Sequence, residues 1–210
     1  MNWKIWIAVP VLYGVFSLWY FNWQGPVTPE EIDRFMAAFD KVEGSKNTSK
    51  ATFRTFLEED DGSEFVMLNQ VQLHNGEVVH PLTGEAMNSS EVVADYFEPF
   101  ALALFKRGGH PVFQARTVGD NIDSWNAERN AGFGVTAMMR YKSRRDLVEL
   151  ILEPVFADAH IYKLASIERT VSYPTQIMLS TSLRPPVAVL IILVLLASLA
   201  QNLNLMNKQH

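Results

Sequence analysis

Two apolar runs, one at each end of the chain, constrain what this sequence can fold into more than anything between them. Residues 3–23, WKIWIAVPVLYGVFSLWYFNW, carry one charge, Lys4. As a helix they would extend roughly 30 Å, enough to cross the hydrocarbon core of a bilayer. Trp3 and Trp6 at one end and Trp19, Tyr20 and Trp23 at the other fall where interfacial aromatic belts form, and Pro10 and Gly14 are tolerated in membrane helices. A cleaved signal peptide is the competing reading. It is disfavoured because the basic segment is minimal and no small-x-small cleavage site follows the run. At the other end, Pro185 and Pro186 suit a first helical turn, and VAVLIILVLLASLA (187–200) continues through QNLNLM to a run of about 20 residues. A buried or amphipathic C-terminal helix is the competing reading, but a surface helix would show a polar face, and the centre of this run has none.

Two membrane helices are therefore expected, over 3–23 and 185–206, with both termini on one side and the domain between them on the other. Lys4, the terminal amine and Lys208 favour a cytoplasmic side for the ends. Glu30, Glu31 and Asp33 follow the first run before any basic residue, and Arg184 opposes the bias. The domain is thus expected on the periplasmic or extracytoplasmic side. The uneven placement also explains why mean hydropathy reaches +0.02 with 20% charged residues. All 23 acidic residues lie between Glu30 and Glu168, and 16 of the 18 basic ones between Arg34 and Arg184, leaving this middle section at net −7. Binding nucleic acid needs a clustered basic face, so that class of partner is excluded. The absence of cysteine fits either compartment.

The middle opens with a helical lead-in over 27–61. Thr28 caps and Pro29 begins a helix with Ile32, Phe35, Met36 and Phe39 on one face; Thr48 or Ser49 caps a second with Phe53, Phe56 and Leu57. EEDDG (58–62) lacks the alternating oxygen ligands and following glutamate of a calcium loop and reads as a solvated helix end. From Ser63 the period becomes two. FVMLNQVQL is a strand, HNGEVVHPLTGEAM a polar excursion, and Ser89 or Ser90 caps a helix that stops at Gly108-Gly109 and is bent at Pro99. PVFQARTV and GFGVTAMMRY form a long hairpin around a loop with Asp120, Asp123, Trp125 and Glu128. Ser143 and Asp146 make a capping box, Pro154 interrupts the helix that follows, and SIERTVSYP (166–174) is the last strand. The order βαββαβ, over 62–180, predicts an α+β domain of ferredoxin-like type. Both faces of the third strand carry apolar residues, so the sheet face away from the helices also needs cover. A homodimer through that face is the simplest solution.

These residues resemble a family. GFGVTAMMRYKSRRDLVELILEPVFADAHIYKLASIERTVSYP, with EEDDGSEFVMLNQVQL before it and DYFEPFALALFKRGGHPVFQA between, resembles the EthD-like branch of the dimeric α/β-barrel superfamily over roughly residues 55–175. Its marks are a helix ending at Gly108-Gly109, a strand ending in Arg140-Tyr141 before Lys142-Ser143, and Pro154 with Phe156; Glu153 stands where the family usually has serine. The resemblance implies the fold, a dimer, and a ligand cleft between sheet and helices. Relatives in the wider superfamily include cofactor-free monooxygenases, isomerases, decarboxylases and haem-using enzymes.

No catalytic signature stands out. The histidines, His74, His80, His110, His160 and His210, include no i, i+4 pair on a helix, so no metal site is expected. There is no GxSxG, P-loop or dinucleotide fingerprint. His160, facing a sheet with Arg140 and Tyr141, is a general base or haem ligand in one reading and a partly exposed helix histidine in the other. Polar side chains on apolar strands, Asn69, Gln114, Arg116, Arg140 and Arg169, form either an internal hydrogen-bond network or the wall of a cleft. Asn69, Arg116, Arg140, Tyr141 and His160 are the candidate cleft residues. Lys142, Arg144 and Arg145 read as a solvated basic face that could also touch anionic lipid. Two functions are expected from these features. The first is a non-catalytic membrane-anchored module, a homodimer or an accessory subunit of a membrane complex, without cofactor. The second is a tethered cofactor-free monooxygenase or isomerase acting on a lipophilic small molecule, with haem as a narrower variant.

Overall fold

The computed structural model describes residues 2–39, 49–126 and 132–207. Thr48, Glu128, Lys208 and His210, named above, lie outside the described residues. The elements in chain order are α1 (Trp3–Tyr20), α2 (Pro29–Phe39), α3 (Lys50–Glu58), β1 (Phe65–Leu73), β2 (Glu77–Val79), β3 (Ala86–Asn88), α4 (Ser89–Lys106), β4 (His110–Arg116), β5 (Val135–Tyr141), α5 (Arg144–Ile151), α6 (Pro154–Ser166), β6 (Ile167–Thr175) and α7 (Pro185–Met206). They form two units, Met1–Trp23 with Ile177–His210, and Gln24–Gln176.

In the first unit α1 and α7 pack against each other. With 18 and 22 residues, they are roughly 27 and 33 Å long. Both are long and apolar enough to cross a membrane. Most of their apolar side chains stay exposed. The Asn2 backbone amide donates to Gln201 Oε1 at 2.8 Å, so the start of α1 lies beside the last turns of α7. The first helix ends at Tyr20, three residues before the apolar run does. Phe21 turns extended, and the Trp23 indole folds back to donate to the Ser17 carbonyl at 2.9 Å.

The second unit is a four-stranded antiparallel sheet, in the order β4-β5-β1-β6, with helices against one face. Pro111 and Pro174 both lie on the outer strands, where a missing backbone donor breaks no inner ladder. Val112 bulges out of register between Pro111, opposite Met139, and Phe113, opposite Met138. The core beneath the helices joins Phe65, Ala137, Met139 and Tyr141 of the sheet to Phe100 and Leu104 of α4 and Leu147 and Leu150 of α5. Phe65 and Tyr141, partners in register, stack at 5.1 Å. A second cluster joins Ile32, Phe35 and Phe39 of α2 and Phe53 and Leu57 of α3 to Val148 of α5, so the lead-in shares a helix with the main core.

Several local expectations are corrected. The excursion after β1 contains a small hairpin, β2 paired with β3. It is fastened by His80, whose Nδ1 accepts from the Thr83 amide at 3.1 Å while Nε2 meets Asp95 at 3.2 Å. Helix α4 is capped by Asn88 in a reciprocal box with Glu91, not by Ser89 or Ser90; Ser89 Oγ donates to the His74 carbonyl instead. Strand β5 starts at Val135 rather than at Gly132, which adopts φ +74°; Gly134 still donates to the Val71 carbonyl at 3.0 Å and accepts from the Thr117 amide at 2.9 Å. Asp60 is no solvated helix end. Its side chain is buried, accepting from the Val27 and Gly62 amides at 2.8 and 3.2 Å and facing Arg144 at 3.4 Å. The basic face is not solvated either. Arg145 is 6% exposed and grips Glu31 and the Gly25 and Pro26 carbonyls, and Arg144 lies over the Phe56 ring and bonds its carbonyl.

The Gly108-Gly109 stop has two separate reasons. Gly108 sits at φ +77°, where a side chain is strained. A Cβ on Gly109 would come within 2.6 Å of the Arg140 carbonyl and 2.4 Å of Leu104 Cδ1. Gly109→Ala is therefore expected to destabilise the domain by about 1–3 kcal/mol through overpacking, read as a lower midpoint in chemical unfolding. A neutral result would show that β4 shifts freely against α4.

Candidate functional site

The helices do not seal the sheet. A cavity of about 710 Å³ lies between them, within the size range of small-molecule sites. Its floor follows the pleat. The row Gln114, Ala137, Asn69, Ser172 crosses all four strands, flanked by Met139, Met67, Pro174 on one side and Val135, Val71, Thr170 on the other. Lining positions run along β1 from Met67 to Leu73, six residue steps or roughly 20 Å. The walls come from α4, with Tyr96, Phe97 and Phe100, and from Phe156 and Lys163 of α6; Phe53 and Phe56 of α3 close the Tyr141 end.

Most polar groups on the floor are spent locally. Ser172 Oγ donates to Asn69 Oδ1 at 2.7 Å, and Asn69 Nδ2 donates to the Met67 carbonyl at 3.0 Å, a cross-strand bridge that keeps an amide tolerable in an apolar floor. Burial raises the phenol pKa values of Tyr96 and Tyr141 well above the ordinary tyrosine value, and Tyr96 further opposes the ionisation of Tyr141, so both remain neutral donors. Burial also lowers the pKa of Lys163, whose Nζ lies 5.7 Å from the Tyr96 ring centroid.

Of the five residues expected to form a cleft, the structure brings two to this cavity, Asn69 and Tyr141. Arg140 has the opposite parity to its neighbours Met139 and Tyr141. It lies on the other sheet face, 3% exposed, with Nε and Nη2 on Glu64 at 2.8 and 2.5 Å and Nη1 on the Gly108 carbonyl at 2.6 Å. This is a structural clasp from the start of β1 to the end of α4. Arg116 shares a row with Val135 and Val71 but stands exposed at the sheet edge, beyond the cavity lining. His160 packs against Phe156 at 5.5 Å and Tyr96 at 6.5 Å and is not a lining residue, so a haem held by it would not sit in the cavity. Among the described residues no group of three or more His, Asp or Glu side chains is placed to hold a metal. Gln114 does reach the cavity, whereas Arg169 lies on the other face, over Phe133 at 4.8 Å and bonded to Gln72. Lys163 and Tyr96 were the missed residues. The available signal was spacing: Phe156 and Lys163 are seven apart, one helical face, as Tyr96 and Phe100 are four apart.

Glu153, where the resembled family has serine, also finds its reason here. Its side chain does not cap α6 but accepts from Arg107 Nε and Nη2 at 2.9 and 2.6 Å, while Glu149 takes Nη1. The end of α4 is thereby pinned to the α5–α6 corner behind the cavity.

Comparison with known proteins adds a fold and no activity. No family model matches the chain, and no curated protein does. Among solved structures it is similar to RPA0582 of Rhodopseudomonas palustris, a protein of unknown function. The identity is 20% and the TM-score 0.52, over 63% of this chain and 95% of that one. The methylated form of the same protein gives 21% and 0.53 over 64% of this chain.

Proposed function

We propose that this chain is a membrane-anchored ferredoxin-like module, of the dimeric α/β-barrel type that its sequence resembles, which holds a lipophilic small molecule between sheet and helices. The cavity carries the proposal: an apolar chamber of about 710 Å³ with few polar groups is what such a ligand needs. The strand order β4-β5-β1-β6, each pair antiparallel, supports the fold assignment, and the two apolar terminal helices support the anchoring. An anchored module meets its ligand at the bilayer, where apolar molecules concentrate. The residues of the cavity bind and orient; a tethered isomerase or monooxygenase is the alternative that turnover of the bound molecule would establish.

The other sheet face supports the second part of the reading, a homodimer or a seat for another membrane subunit. Across it Phe113, Met138, Leu68 and Tyr173 form one row over all four strands, with Phe113 and Tyr173 each 48% exposed. An apolar row of that extent on a sheet is a contact surface in want of a partner.

The test of ligand binding uses the full-length protein, purified from its membrane in mild non-ionic detergent, extracted with organic solvent and analysed by mass spectrometry. Ala137 sits at the centre of the cavity floor, so Ala137→Trp fills the chamber. Wild type is expected to release a lipophilic molecule that Ala137→Trp lacks, with only a modest change in melting temperature. Identical extracts from the two proteins, together with no uptake of an apolar fluorescent probe by wild type, would sink the proposal.

A further inference from the structure

Among the described residues lining the cavity, one carries a charge, and it is a cation with no anion beside it. Lys163 makes no ion pair among the described residues, and the lining contains no Asp or Glu. Its nearest favourable contact is the face of Tyr96 at 5.7 Å, a weak substitute for a carboxylate. Every other cationic side chain brought into the body of this domain is provided for: Arg107 by Glu149 and Glu153, Arg140 by Glu64, Arg144 by Asp60, Arg145 by Glu31. A half-buried ammonium facing an apolar chamber without a counter-charge is costly, and the same helix face could have carried leucine at no such cost. The remaining walls are aromatic and aliphatic.

From this contrast, and resting on the binding reading above, we infer that the cavity ligand is a single-chain amphiphile with one anionic headgroup, a carboxylate, whose counter-ion is Lys163 Nζ. Each property of the chamber selects one property of the ligand. A floor roughly 20 Å long takes an extended apolar body. A volume of about 710 Å³ fits one chain rather than a two-chain lipid. A single ammonium, with neutral phenols nearby and no arginine in the lining, matches a monoanion better than a phosphate, which favours forked or multiple cationic donors. Burial lowers the Lys163 pKa, and a carboxylate beside Nζ is expected to raise it again.

The experiment compares a long-chain fatty acid with the alcohol of the same chain length, by displacement of a fluorescent polyene probe from the full-length protein in non-ionic detergent. The acid is expected to bind about tenfold to a hundredfold more tightly than the alcohol, the range of one charge-assisted contact. Lys163→Met should weaken the acid by that factor and leave the alcohol unchanged, and Lys163→Arg should keep most of the preference. Equal binding of acid and alcohol by wild type overturns the inference while leaving the cavity as a neutral lipophilic site. So does an acid preference that survives in Lys163→Met. If neither compound displaces the probe from a protein of normal melting temperature, the binding reading itself fails and this inference with it.

Discussion

Arg145→Met is expected to lower the stability of the Gln24–Gln176 unit by about 3 kcal/mol, the low end of the cost of breaking a buried ion pair. In a unit of this size that is a fall in melting temperature on the order of 6–12 °C. Methionine keeps the bulk and removes the fork. The loss is large because Arg145 does several jobs at once. Nε and Nη2 take both carboxylate oxygens of Glu31 at 2.9 and 2.8 Å, while Nη1 and Nη2 take the Gly25 and Pro26 carbonyls at 3.2 and 2.9 Å. Without it, an ionised carboxylate and two carbonyls are left with diminished solvation, and the entry to α2 loses its tie to α5. The Arg145 hydrogen bond, above all, holds the Glu31 pKa down from 4.5 to about 2. A depressed carboxylate pKa stabilises the fold above the unfolded value and ceases to do so as pH falls. Wild type should therefore lose this contribution between about pH 4.5 and pH 2, and Arg145→Met should show a flatter profile over that window. Circular-dichroism melts of the two proteins across those pH values provide the measurement. Equal melting temperatures at neutral pH would show that the clasp is dispensable.

How far the sequence revealed this molecule depended on whether a feature was local. Element type and order followed from periodicity and punctuation: Thr28 caps α2 as expected, with Glu31 bonding back to the Thr28 amide, Ser49 caps α3, Ser143 caps α5, and Pro154 begins a new helix. What misled was the pairing of charges far apart in the chain. Asp60 and Arg144, or Glu31 and Arg145, look like two solvated runs of like charge when read along the sequence; only the fold brings 84 and 114 positions together. The same limit governs the site. Strand parity already separates Arg140 from Tyr141, since adjacent residues on a strand face opposite sides, so the expectation of both in one cleft was correctable from period two alone. Lys163 was not recoverable that way. A lysine on a helix is usually solvated, and its distinction here is that neighbouring helices leave it facing a chamber with no carboxylate.

The parity that puts Arg140 and Leu68 on the face away from the cavity also sets the second large expectation, that Leu68→Asp abolishes self-association. Leu68 lies in an inner strand, between Met138 and Tyr173, at the middle of the apolar row. In a two-fold dimer formed through this face, the same position is contributed by both copies, so one substitution buries two carboxylates close together. Several kcal/mol of desolvation and repulsion should raise the dissociation constant on the order of a thousandfold or more. The isolated fold tolerates the change, because Leu68 is only half-buried and its side chain points away from the core beneath the helices. Leu82→Asp, at a site 71% exposed on the β2–β3 connection, serves as the control for added charge. Native mass spectrometry of detergent-solubilised protein should show dimers for wild type and Leu82→Asp and monomers for Leu68→Asp. The cavity makes this outcome more than a statement about assembly. Its floor and the contact row are opposite faces of one sheet, Ala137 next to Met138 and Asn69 next to Leu68, so the dimer would brace the ligand floor from behind. Leu68→Asp is then expected to weaken ligand retention as well, without touching a lining residue. Undiminished retention in the monomer would show that the two faces act independently.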